Sequence, residues 1–79
     1  MRHTGGMEPR VVDAEDGIRL GQLLKLSGLA ESGGHARALL AEGEVTVNGE
    51  AEDRRGRRLL RGDVVVVALP TGEETVRVG

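Results

Sequence analysis

The chain contains no aromatic residue and no cysteine in 79 positions. Any core must therefore be packed from Leu, Val, Ile and Ala, without a disulfide or a thiolate-held metal to staple it. A single domain of this size buries only about 60% of the surface its unfolded chain exposes, so modest stability is expected. The same absence limits function. Stacking bases on aromatic side chains is closed to this chain, as is an RRM-type sheet platform. Contact with nucleic acid would have to run through phosphates and shape.

The apolar residues fall into a readable order. Residues 1–17 carry Gly5, Gly6, Pro9 and Gly17 around a lone Val11-Val12 pair, which predicts a flexible N-terminal arm or a short lead-in strand. From Ile18, Leu20, Leu23 and Leu24 recur at i, i+3, i+4, with Gln22 and Lys25 on the outer face of a helix. Gly28 stops that helix, and Ser32 is placed to cap a second one whose inner face is Ala36, Leu39 and Leu40 and whose end is Gly43. Both helices are short, so packing must hold them more than propensity.

Val45-Thr46-Val47 alternates as a strand should, and Asn48-Gly49 is a strong hairpin signal. The return strand, Glu50 to Asp53, is poor in β-formers and is expected to be short. Leu59 and Leu60 should anchor the segment that follows. Val64 to Val67 reads as a buried central strand. Residues 69–79 are expected as a tail or an edge strand. The fold class predicted is α+β: two short packed helices, then a small, mainly antiparallel sheet, with the functional domain at 18–68.

Charge is distributed unevenly. The formal net charge is -2, yet Arg54, Arg55, Arg57, Arg58 and Arg61 fall within eight residues. Guanidinium groups grip phosphates through forked, charge-assisted hydrogen bonds, and local field matters more for this than net charge. The bland alternative is a solvated loop paired with Glu50, Glu52 and Asp53. Exposed pairs are worth only about 0–1 kcal/mol each, so they neither explain the cluster nor prevent its release to a polyanion.

At this point the string resembles a known family. Arg19-Leu20-x-x-Leu23-Leu24-Lys25-x-x-Gly28-Leu29-Ala30-x-Ser32 is similar to the first helix and loop of the S4 RNA-binding domain. Ala36-Arg37-x-Leu39-Leu40-x-x-Gly43-x-Val45-x-Val47-Asn48-Gly49 resembles its second helix and hairpin, and Gly62-Asp63-Val64-Val65 its closing turn and strand. Glu31-Ser32-Gly33-Gly34, with the run from Asn48 to Leu59, looks like the small stand-alone bacterial branch, the YbcJ-like proteins. The resemblance implies a ribosome-associated RNA-binding module working on structured ribosomal or transfer RNA. It implies basic contacts from the helix pair and the neighbouring loops. Two positions depart from the family pattern: Gly33, where a basic residue is common, and Gly21, where an acid is usual.

The candidate RNA-binding residues are thus Arg54, Arg55, Arg57, Arg58 and Arg61, extended by Arg37, Lys25 and Arg19. Gly33, Gly34 and His35 offer backbone or imidazole hydrogen bonds at the start of the second helix. No catalytic residue, metal site or cofactor is expected, because the two histidines, His3 and His35, stand far apart without ligand-spaced partners. No phosphate-cradling glycine fingerprint is present, and a domain this small can rarely enclose a substrate pocket. With no apolar run of about 18 residues and no signal-like N-terminus, a cytoplasmic protein without membrane or small-molecule partners is expected. A protein-interaction module, its arginines docked on an acidic ribosomal or RNA-processing protein, is the main rival. A DNA-binding helix-turn-helix ranks lower, since the segment from Gly28 to Gly34 exceeds the usual turn of about 3–4 residues.

Overall fold

Hydrophobic periodicity resolves into two helices laid on one face of a five-stranded sheet. The computed structural model describes residues 10–79. In chain order the elements are β1 (Arg10–Val12), α1 (Leu20–Leu26), α2 (Gly33–Ala41), β2 (Val45–Val47), β3 (Glu50–Ala51), β4 (Val64–Leu69) and β5 (Gly72–Val78). Their order in the sheet is β1-β5-β4-β2-β3. Only the β1–β5 pairing is parallel. The α+β class read from the sequence is the class observed. Among the described residues no helix is long and apolar enough to cross a membrane.

The core is aliphatic throughout. Leu20, Leu23 and Leu24 of α1 and Ala36, Leu39 and Leu40 of α2 meet Val45, Val47, Val65, Val67, Val76 and Val78 from the sheet. Each strand contributes alternate residues, because successive side chains point to opposite faces.

Local signals set the element ends. Ser32 Oγ accepts the His35 N–H at 3.1 Å and caps α2. At the other end Gly43 takes a φ of +76°. There the Gly43 N–H bonds to Leu40 O and the Glu44 N–H to Leu39 O, the paired bonds of a Schellman ending. Asn48 and Gly49 both have positive φ, 53° and 86°, as a two-residue type I′ hairpin requires. The strand that returns from it is only two residues long, as its composition foretold.

Three expectations are corrected. β4 is central, but it is buried on one face only: Val65 and Val67 are inaccessible, while Val64 and Val66 are half-buried on the helix-free side. The physical reason is that both helices lie on the same side of the sheet. Residues 69–79 form neither a tail nor an edge strand. β4 turns at Pro70-Thr71 into β5, and β1 then adds alongside with Val12 opposite Val78, so β5 lies inside the sheet. Leu60 is 62% exposed and Leu59 alone is the anchor. Of the expected N-terminal arm, residues 10–12 are strand β1; residues 1–9, His3 among them, lie outside the described residues.

Candidate nucleic-acid interface

The arginine segment is a loop fixed at both ends. At its exit, Leu59 is fully buried, its N–H donates to Ile18 O at 2.8 Å, and its carbonyl accepts the Gly17 N–H at 3.0 Å. Between these points the loop runs against the start of α1. The Leu20 N–H donates to Arg57 O at 2.8 Å and the Gly21 N–H to Arg55 O at 2.9 Å. These are first-turn amides that no helical carbonyl can satisfy, so the loop caps the helix with its own backbone. A Cβ on Gly21 would stand 3.2 Å from Arg55 Cβ and 3.5 Å from Arg55 O. The glycine therefore accounts for the close approach of loop and helix.

At its entrance the loop is held by Glu52, a buried charged residue at 7% exposure. Its Oε2 accepts from the Arg54 backbone N–H and Nε, both at 3.1 Å, and its Oε1 accepts from Arg57 Nη1 at 2.9 Å. A carboxylate leaves water only when paired and hydrogen-bonded, and this one is both. Hydrogen bonds from the Arg54 guanidinium, then from that of Arg57, hold its carboxyl at about 2, although burial works the other way. Among the described residues these are the ion pairs present.

The five arginines are thereby divided. Arg54 and Arg57 turn towards Glu52, although Arg54 keeps 76% of its side chain accessible. Arg55 and Arg58 have no carboxylate within 4 Å among the described residues. Arg58 also pairs with Arg19 in an isolated antiparallel bridge, which brings those two residues side by side. Arg61 stands apart, in the turn that leads into β4.

An open cleft of about 240 Å³ lies between the helices and the loop, lined by Arg19, Gly21, Gln22, Lys25, Gly33, Ala36 and Arg55. Three cations ring it, and among the described residues no acid lines it. Its remaining walls are Gln22 and the small residues Gly21, Gly33 and Ala36, and a Cβ at Gly33 would meet nothing within 4 Å. It is smaller than the roughly 300–1,000 Å³ usual for an enclosed small-molecule site.

Of the other candidates, Arg37 is exposed on α2 one turn beyond Gly33. Gly33 and Gly34 open α2, with amides that have no helical acceptor. His35 is tied into the cap, its Nδ1 accepting the Glu31 N–H at 3.0 Å. Reasoning from the sequence missed Gln22 and Gly21 as lining residues; it offered Glu52 as a pairing partner of the cluster, which it is for Arg54 and Arg57, but not as a buried one. A glycine inside an amphipathic helix costs about 1 kcal/mol, and that was the available hint of a close approach at Gly21. Nothing in the pattern marked Glu52 as buried. Among the described residues no group of three His, Asp or Glu could hold a metal ion.

The model of the S4 domain matches residues 12–78, the span from β1 to the end of β5. The chain belongs to the S4 domain family. Curated relatives agree with this. A Bacillus subtilis (strain 168) protein named "Probable ribosome maturation protein RlbA" is 51% identical over 59 residues, covering 75% of this chain and 82% of the relative. An Escherichia coli (strain K12) protein named "Putative RNA-binding protein YbcJ" is 41% identical over 51 residues, covering 65% of this chain and 73% of that protein.

Proposed function

We propose that this protein is a non-enzymatic RNA-binding module that grips the backbone of structured RNA, of the ribosomal or transfer type, along the cleft between α1, α2 and the arginine loop. One observation carries the reading: Arg19, Lys25 and Arg55 line the cleft without a carboxylate partner among the described residues, and Arg58, equally unpaired, is bridged through its backbone to Arg19. Unpaired guanidinium and ammonium groups beside Gly21, Gly33 and Ala36 admit a phosphate backbone closely and attract it with fixed charge. The amides of Gly33 and Gly34 add neutral donors at a helix start. Arg37 extends the α2 rim. Arg54 contributes its accessible edge, and Arg57 mainly supports the loop. Arg61 and His35 are peripheral in this arrangement.

With no aromatic side chain, the module reads shape and ribose hydroxyls more than bases, which favours folded or duplex RNA over single strands. The name "Probable ribosome maturation protein RlbA" supports a ribosomal setting in the cytoplasm, and "Putative RNA-binding protein YbcJ" supports RNA as the ligand.

The test is binding of the purified protein to bulk ribosomal RNA, bulk transfer RNA and a matched DNA duplex at two salt concentrations. Saturable, salt-sensitive binding that prefers RNA is expected. Equal binding to DNA would remove the shape argument. No binding to any of them at low salt, with the fold intact, would favour an acidic protein partner for the arginines.

A further inference from the structure

An acid holds the loop that presents the free arginines. We infer that Glu52 is a positioning residue for RNA binding, so that a carboxylate beside the proposed cleft strengthens the grip on a polyanion by fixing the Arg54–Arg58 loop. This rests on the reading of the cleft as an RNA site.

Charge alone points the other way, since an acid near phosphates should repel them. Three features of the structure outweigh that. First, the Glu52 side chain is only 6% accessible, and two guanidiniums already face it. Its charge is therefore met inside the protein and does not confront the ligand. Second, the turn it braces is weak by itself: the Arg57 N–H reaches Arg54 O at 3.3 Å, a long closing bond. Four guanidiniums in five residues repel one another, and Glu52 takes one from each side of the turn. Third, the geometry so fixed is transmitted. The carbonyls of Arg55 and Arg57 are the acceptors for the first amides of α1, and Arg55 lines the cleft together with Lys25 and Gly33. A loop held in its binding shape before the ligand arrives loses less freedom on binding.

The experiment compares the full chain with Glu52→Gln, whose formal net charge rises from -2 to -1. Amide hydrogen exchange is followed in the free proteins, and affinity is measured with bulk transfer RNA. In the variant, exchange at Leu20 and Gly21 should quicken while Val65 and Val67 keep their protection. RNA affinity should fall roughly tenfold despite the added positive charge, about the effect of one charge-assisted hydrogen bond. Tighter or unchanged RNA binding by a folded variant would overturn the inference, as would wild-type protection at Leu20 and Gly21.

If the variant does not fold, the wild type decides. The Glu52-bonded Nε–H NMR signal of Arg54 and the guanidinium signals of Arg57 should stay in place as transfer RNA is added, while the guanidinium signals of Arg55 and Arg58 move. Transfer of Arg54 and Arg57 from Glu52 to the RNA would contradict the positioning role. Failure of the wild type to bind transfer RNA would instead sink the reading of the cleft, and the exchange data would still register whether Glu52 holds the loop.

Discussion

Two turns of this chain each set arginine beside an acid, and the acid is used differently in each. In the turn at 54–57, Glu52 binds mainly side chains: it takes the guanidiniums of Arg54 and Arg57 and leaves Arg55 and Arg58 without an acidic partner among the described residues. In the turn at 60–63, Asp63 binds backbone and amide. Its Oδ2 accepts the Leu60 N–H at 2.9 Å and its Oδ1 accepts from Asn48 Nδ2 at 3.0 Å. Asn48 Oδ1 in turn accepts the Val64 N–H at 2.9 Å. That second turn locks the β2–β3 hairpin to the start of β4 and plays no part in the cleft. Neighbouring arginines in a sequence need not share a surface, because the groups bonded by the nearest acid decide which of them remain free.

The contrast can be broken at several points. The largest effect is expected from Leu59→Ala, which empties a fully buried site at the exit of the first turn. It should cost about 2–5 kcal/mol in urea unfolding. Replacing Arg19, Lys25 and Arg55 together by Ala should leave stability nearly unchanged and weaken transfer-RNA binding roughly a hundredfold in a filter or fluorescence titration. Asp63→Ala should show the opposite pattern. Thermal or urea unfolding should register a loss of about 1–2 kcal/mol, with RNA affinity held within about threefold. Arg61→Ala should be the smallest perturbation, below about twofold in affinity. A large RNA defect in either Asp63→Ala or Arg61→Ala would show that the two turns act as one site.

Acid titration sharpens the same contrast. The Glu52 carboxyl has a folded value of about 2 against its ordinary 4.5, so its ionised form favours the native state. That stabilisation is complete above about pH 4.5 and is lost as the pH falls through about 2. The stability gap between wild type and Glu52→Gln should therefore be constant near neutrality and close between these values. A gap that persists unchanged at pH 2 would mean the carboxylate's charge is not what holds the loop.

The parts of this arrangement legible in the sequence are those written in short-range chemistry. The leucine spacing of α1, the serine cap of α2 and the Asn48-Gly49 turn all depend on residues within a few positions of one another. β5 was harder to place, because Glu73 and Glu74 make it polar and its second neighbour, β1, comes from the far end of the chain. The site was half legible. The arginine cluster and the basic helix residues were visible as residue types, but their division between Glu52 and the cleft was not. That division depends on a buried carboxylate, and a glutamate flanked by exposed Ala51 and Asp53 gives no periodic sign of burial.

The most direct test of the central claim is the salt dependence of RNA binding, measured for the wild type, the Arg19, Lys25 and Arg55 triple variant, and a double variant lacking Arg61 and Arg77, the latter exposed on β5 between the buried Val76 and Val78. Contacts from Arg19, Lys25 and Arg55, with Arg37, Arg54 and Arg58 at the margins, predict a wild-type log–log slope of about -4 to -5, flattened by about 2 to 3 in the triple variant. The double variant should keep the wild-type slope. An unchanged slope in the triple variant, or an equal flattening in the double, would contradict the assignment of the cleft as the phosphate grip.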